Sequence, residues 1–325
     1  MSESGNWSFP VNLQPRQDEV GFDLGRVLDA VVGLRAEVPE DAFTASMLGT
    51  ERVGNGVVIR DDGLVLTIGY LVTEATNVWL TANDGSAVQG YPLAYDQASG
   101  FGLVMPLGEL HAPAIARGTV DAVGPDAPVF VVGHGGRGHA LKAKVVDKRE
   151  FAGYWEYVLE QAVFTAPAHP LWSGAALVGP DGRLLGIGSL LVQEQVDGEQ
   201  AQGNMFVPVD LLAPILEDMT RLGRPAGPPR PWLGMYLAED DKGRLVVTGL
   251  ATQGPADRAG VRLNDVVREV AGARVEGLAG CFRAVWRCGP AGATVPLTLA
   301  RNGTAVRVDV VSADRGDFLR KPQLH

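Results

Sequence analysis

The sequence predicts a mainly β protein, a barrel or sandwich followed by a smaller α+β module, and three observations carry that reading. Between Ala30 and Val209, short runs of Val, Leu and Ile recur between Gly, Asp-Gly or Pro signals at intervals of roughly 8–12 residues, the spacing of an all-β domain. The chain holds 42 Gly and 21 Pro, about 19% of its 325 residues against a usual ~12%, so turns are many. The stretch Gly223–Pro231 (GRPAGPPRP) then interrupts the pattern with a composition that neither a helix nor a central strand tolerates.

Taken in order, the elements support this division. A short helix is expected near Phe22–Asp29. Strands follow at Asn55–Arg60, Leu64–Thr67, Val78–Ala82, Pro128–Gly133, Ala176–Val178 and Arg183–Gly188. The Asp-Gly pairs at Asp62-Gly63, Asp84-Gly85 and Asp181-Gly182 sit where hairpins need positive φ. A second helix is expected over Val209–Leu222, where Leu211, Leu212, Ile215, Leu216 and Met219 mark one face. Beyond the Pro/Gly stretch, strands are expected at Trp232–Leu237, Leu245–Leu250 and Asp265–Val270, with a short helix from Pro255 to Ala259 and an amphipathic helix over Gly277–Arg287. A hairpin, Pro296–Arg301 and Ala305–Val311, turns at Asn302-Gly303. The expected organisation is an arm over 1–26, a β domain over 27–222, a linker over 223–231, an α+β domain over 232–313 and a loose tail over 314–325.

Composition narrows the function classes. A net charge of −10 with no dense Lys/Arg run argues against nucleic acid and against an anionic membrane surface. No apolar run approaches the roughly 18 residues of a spanning helix. The first twenty residues have neither a basic start nor an apolar core, so a cytoplasmic location is expected. Cys281 and Cys288 are the only cysteines; seven positions apart on one expected helix, they read as reduced thiols. No cofactor motif is present. His134 and His139 have an H-x4-H spacing, but with no second ligand pair and with Arg137 between them they read as an ordinary turn, not a metal site.

The order of motifs resembles the HtrA/DegP-type, trypsin-like serine proteases. The resemblance is carried by Gly54-Asn55-Gly56-Val57-Val58-Ile59, by Asp62-Gly63-Leu64-Val65-Leu66-Thr67, and by Ser173-Gly174 ahead of Ala176-Leu177-Val178 and Asp181-Gly182-Arg183-Leu184-Leu185-Gly186-Ile187. Trp232-Leu233-Gly234-Met235, Gly254-Pro255-Ala256, Ala259-Gly260-Val261 and Asp265-Val266-Val267 are similar to the PDZ domain of those proteases. Covering roughly residues 30–312, the resemblance implies a trypsin-like double β-barrel of two six-stranded barrels, followed by an α+β PDZ domain.

That chemistry needs a Ser nucleophile, a His base, an Asp to orient the His, and backbone donors for the oxyanion. By the resemblance, Tyr70 occupies the His position and Gly100 the Asp position, four residues after Asp96. Ser173 alone survives as a vestigial nucleophile, with Leu171 and Trp172 at the oxyanion positions in place of the family's Gly and Asn. A pseudoprotease is the expectation. The alternative is an active endopeptidase in which His169, His134 or His139 serves as a displaced base.

A PDZ domain adds a partner's C-terminus as a strand to a sheet edge and holds the terminal carboxylate on backbone N–H groups. Trp232, Leu233, Gly234 and Met235 fit the carboxylate loop; Leu237, Phe282, Val285 and Trp286 would line the groove for an apolar terminal side chain. The competing reading makes them plain core residues. The expected partners are therefore C-terminal or unfolded peptide segments, with the barrels as a mere platform and the PDZ domain as vestigial in a third reading. Trp7 and Phe9 in the arm invite a homotrimer, since family members trimerise through N-terminal aromatics; two incidental aromatics in a tail are the alternative.

Overall fold

The computed structural model describes residues 7–196 and 198–321. Its first strands, β1 (Val31–Glu37), β2 (Glu51–Val58), β3 (Val65–Ile68), β4 (Asn77–Thr81), β5 (Ala87–Tyr95) and β6 (Phe101–Pro106), close into a barrel in the order β1-β2-β3-β6-β5-β4. A second barrel closes as β10-β11-β12-β9-β8-β7 from β7 (Pro128–Val132), β8 (Ala140–Gly153), β9 (Tyr157–Ala166), β10 (Ala176–Val178), β11 (Leu184–Val196) and β12 (Glu199–Pro208). Alternation explains the closure: in β1, Leu34 and Ala36 are buried between exposed Arg35 and Glu37, and the inward set fills the barrel.

The third sheet is β13 (Met235–Glu239), β14 (Leu245–Leu250), β15 (Val266–Val270), β17 (Thr294–Arg301) and β18 (Thr304–Val311) in that order, with β16 (Ala273–Arg274) paired to β15. Helices are few: α1 (Leu24–Asp29), α2 (Ala45–Leu48), α3 (Leu216–Leu222), α4 (Pro255–Arg258) and α5 (Gly277–Arg287). The α5 helix buries Cys281, Phe282, Ala284 and Val285, and it packs on β13 and β15. The expectation of a mainly β chain, a trypsin-like double barrel followed by an α+β PDZ domain, is met.

Two local expectations change. The helix expected over Val209–Leu222 is a 3₁₀ turn at Val209–Leu211 and then α3, because Pro214 lacks the amide that a continuous helix would use and disfavours helical φ/ψ at Ala213. The tail expected to be loose carries a 3₁₀ turn at Arg315–Phe318, capped by the Asp314 carboxylate on the Gly316 amide. The Phe318 ring lies 4.8 Å from that of Trp232.

By its contacts the chain forms two units. One comprises residues 1–149, 161–226 and 320–325; the other comprises residues 150–160 and 227–319. The tip of the β8–β9 hairpin thus belongs to the unit built around the third sheet. Val158 is buried there in one apolar cluster with Leu233, Met235, Leu237, Phe282 and Val285.

Candidate functional site

Tyr70 stands on a 3₁₀ turn, Gly69–Leu71, immediately after β3. The turn is pinned from β2 by the buried guanidinium of Arg52, which donates to the carbonyls of Tyr70 (2.7 Å) and Thr73 (2.9 Å). The Tyr70 hydroxyl donates to the Ser189 carbonyl on β11 at 2.9 Å, so the side chain reaches from the first barrel to the second. Burial pushes its phenol up to about 12, with Ser173 and Trp172 offsetting part of that shift. A neutral phenol committed as a donor does not take a proton at pH 7. Gly100 adopts φ +80° and its carbonyl accepts the Gly69 amide at 2.7 Å. The nearby Asp96 carboxylate is used in its own turn, accepting from the amides of Ala98 and Ser99 and from the Ser99 hydroxyl.

Ser173 lies between β9 and β10. Its Oγ is buried and makes no hydrogen bond among the described residues. Its carbonyl is held by the Asn55 amide (2.8 Å) and Asn55 Nδ2 (3.0 Å), and Nδ2 also donates to the Leu171 carbonyl at 2.9 Å. The Asn55 Oδ1 accepts the His134 amide at 2.8 Å, so one buried side chain stitches the Ser173 loop to the first barrel. Gly174, at φ +72°, has the Asn55 carbonyl oxygen 1.9 Å from where a Cβ would sit, which only glycine permits.

Leu171, expected from the resemblance at an oxyanion position, shows a feature that residue types alone do not reveal. The Leu171 N–H donates to Nδ1 of His169 at 3.0 Å. With Nδ1 accepting, the ring proton sits on Nε2 and is donated to the His139 carbonyl at 2.9 Å. Both nitrogens of this fully buried imidazole are therefore engaged away from Ser173, and burial lowers its pKa to about 4. The Leu171 side chain is exposed and Trp172 half-buried. What matters at Leu171 is where its amide points, more than the bulk of its side chain.

His134 and His139 are half-buried, where exposed positions are expected for a turn. For His139 the cause is the arm: Trp7 stacks on its ring at 4.5 Å and the Trp7 carbonyl lies 2.9 Å from its Nε2, while Phe9 meets His169 edge-on at 5.0 Å. The two aromatics pack on histidines of the same chain and are not incidental to a tail. His134 Nε2 faces the Ala82 carbonyl at 3.4 Å, and no cluster of three metal-ligating side chains occurs among the described residues.

In the second unit, Gly234 takes φ +69° between Leu233 and Met235, which turns successive amides toward one point. Its missing Cβ is required by the Trp232 ring and by Ala251, 3.0 and 2.9 Å away, rather than by a ligand. Trp232 is buried, bridges to Ala313 and so supports the loop instead of lining it. Met235, Leu237, Phe282 and Val285 are core residues, each buried. Trp286 is half-buried beneath Arg230, whose guanidinium lies 4.3 Å from the ring centroid. At the point where the Leu233 and Met235 amides converge lies the carboxylate of Glu156, with N···O distances of 3.0 Å to each. Sequence reading passes over this residue; the only signal was an acid set among aromatics in Phe151-Ala152-Gly153-Tyr154-Trp155-Glu156-Tyr157.

Comparison with known proteins agrees with this architecture. The trypsin-like peptidase domain family matches residues 54–187 and the PDZ domain family residues 231–311. A periplasmic DegP-like serine endoprotease of Halomonas elongata is 23% identical over 277 residues, covering 82% of this chain and 57% of the relative. The serine endoprotease DegS of Escherichia coli is 23% identical over 240 residues, 69% of this chain and 66% of its own. This chain therefore spans less than two thirds of the length of these relatives. Among solved structures, the HtrA-type protease AlgW with a decapeptide aligns at TM-score 0.54 and 19% identity, covering 92% of this chain and 98% of its own. The serine endoprotease of Yersinia pestis aligns at TM-score 0.51 and 18% identity, covering 91% and 99%. Both show the shared fold. No helix among the described residues is long and apolar enough to cross a membrane.

Proposed function

We propose that this chain, which joins a trypsin-like peptidase domain to a PDZ domain in the manner of HtrA/DegP-type proteases, acts without proteolysis as a peptide-binding or assembly scaffold. The observation that carries the reading is the Leu171 amide bonded to His169, with Tyr70 standing where a base is needed. Attack by a serine requires a group to accept its proton and donors for the oxyanion. Tyr70 offers a bound proton in place of a lone pair, Gly100 offers no carboxylate, and one oxyanion donor faces the wrong way. His169 as a displaced base would have to give up both of its present hydrogen bonds. Peptide binding is supported by the amide nest at Leu233–Met235, which in this fold already receives a carboxylate.

The test is labelling with a fluorophosphonate probe together with cleavage of an unfolded casein-like substrate. Neither is expected. Labelling at Ser173 that disappears in Ser173→Ala would establish the alternative, an active endopeptidase with a non-standard base. Restoring Tyr70→His and Gly100→Asp together is expected to leave turnover at background, because the Leu171 amide stays with His169. Robust cleavage by that double variant would show that the amide reorients on substrate binding.

A further inference from the structure

The nest at Leu233–Met235 is filled by the chain itself. The Glu156 carboxylate takes the Leu233 amide on both oxygens, at 3.2 and 3.0 Å, and the Met235 amide at 3.0 Å. It is buried, and it sits at the apex of the β8–β9 turn with φ +63°. This is the arrangement in which a free C-terminus is held, with a side-chain carboxylate in place of the terminal one.

Three further contacts extend the likeness along the segment. The Leu237 amide, on edge strand β13, donates to the Tyr154 carbonyl at 3.4 Å, a strand-like contact two residues from the carboxylate. Val158 is buried with Met235, Leu237, Phe282 and Val285, the residues expected to receive an apolar terminal side chain. Glu150 is ion-paired with Arg283 on α5. Residues 150–160 thus meet the nest, the edge strand, the apolar cluster and the helix at once, and they do so within one contact unit.

We infer that residues 150–160 are an internal competitor for the PDZ site, Glu156 standing in for a partner's terminal carboxylate, so that a C-terminal peptide binds only by displacing this segment. The inference rests on the peptide-binding reading above. It follows from occupancy: two carboxylates cannot share the convergent amides of Leu233 and Met235, and an incoming strand cannot pair with β13 where Tyr154 already does. The apparent affinity of the site is then its intrinsic affinity multiplied by the fraction of molecules in which the segment is out.

The experiment uses the full chain and three proteins: wild type, Glu156→Gln and Glu156→Ala. A fluorescent peptide with a free, apolar C-terminus and its amidated twin are titrated by anisotropy, and amide hydrogen exchange is followed at Leu233, Gly234 and Met235 without peptide. The expected result is affinity for the free acid at least tenfold higher in Glu156→Ala than in wild type, an intermediate gain in Glu156→Gln, little binding of the amidated peptide, and faster exchange of the Leu233 and Met235 amides in both variants. Equal affinity in wild type and Glu156→Ala would overturn the inference and leave the peptide-binding reading standing. Loss of amide protection with no peptide bound by any of the three at millimolar concentration would overturn the peptide-binding reading, and with it the competition, and would make Glu156 a fixed brace. Unchanged exchange at the Leu233 and Met235 amides would show that Glu156 does not occupy the nest.

Discussion

A buried imidazole whose Nδ1 accepts the Leu171 amide has no place for a second proton, since protonating Nδ1 would set two N–H groups against each other. His169 therefore links the shape of the Ser173 loop to pH. Its pKa falls from the ordinary 6.5 to about 4, chiefly through burial. The unfolded chain binds the proton more readily, so this contribution to stability is complete above pH 6.5 and is lost as pH falls toward 4. The expected loss is about 2 kcal/mol by pH 5. Urea titrations at pH 7.5 and pH 5 should show it as a difference between wild type and His169→Gln, which cannot titrate. Parallel pH dependence in the two proteins would place the proton elsewhere. A second residue, Gly174, is fixed by sterics alone: Gly174→Ala puts a Cβ into the Asn55 carbonyl at positive φ. It should lower the melting temperature by several degrees or prevent folding, as a strained and clashing site does.

Strands and helices here stand or fall by a few polar anchors at their ends. The 3₁₀ turn that presents Tyr70 is held by Arg52, which also donates to Thr44 Oγ1, while the buried Glu74 carboxylate takes the amides of Phe43, Thr44 and Arg320. Arg52→Met would leave the carbonyls of Tyr70 and Thr73 and the Thr44 hydroxyl without this donor. A cost of about 1–3 kcal/mol is expected. Denaturant unfolding measures it, and a loss below about 1 kcal/mol would mean that water replaces the guanidinium. By contrast α5, with its bounds at Gly277 and Arg287, is legible from sequence because one apolar face recurs at the helical period. The anchors are not legible, since an Arg on an alternating strand reads as an outward-facing residue until its partners are known.

At the level of the whole chain, the second unit draws on two stretches separated by more than sixty residues, 150–160 and 227–319. A fragment comprising 227–319 alone lacks Val158 from its apolar cluster and leaves the nest open. Burying a valine contributes about 1.5–3 kcal/mol. The isolated fragment is therefore expected to fold with a lower melting temperature than the same unit in the full chain, and a synthetic 150–160 peptide added in trans should raise it. A Glu156→Ala version of that peptide should raise it less. Equal stabilisation by both peptides would assign the effect to Val158 and the aromatics, not to the carboxylate. The net charge of −10 acts at the same scale, disfavouring phosphate backbones whatever the local arrangement.

Local patterning determined a great deal of this protein. Alternation and Asp-Gly turns marked a β domain ahead of the Pro/Gly stretch, and the helical period marked α5 after it. Those features depend on residues within a few positions of one another, which is the range over which φ/ψ preference and side-chain period act. Tertiary structure alone decided the rest. Asn55 tying the Ser173 loop, His169 taking the Leu171 amide, the arm aromatics on His139 and His169, and Glu156 in the nest all join residues far apart in sequence. A hydrogen bond between distant groups leaves no periodic trace. Its partners are chosen only when the closing of the barrels and the third sheet brings buried donors and acceptors together, and burial then leaves them no water to bond instead.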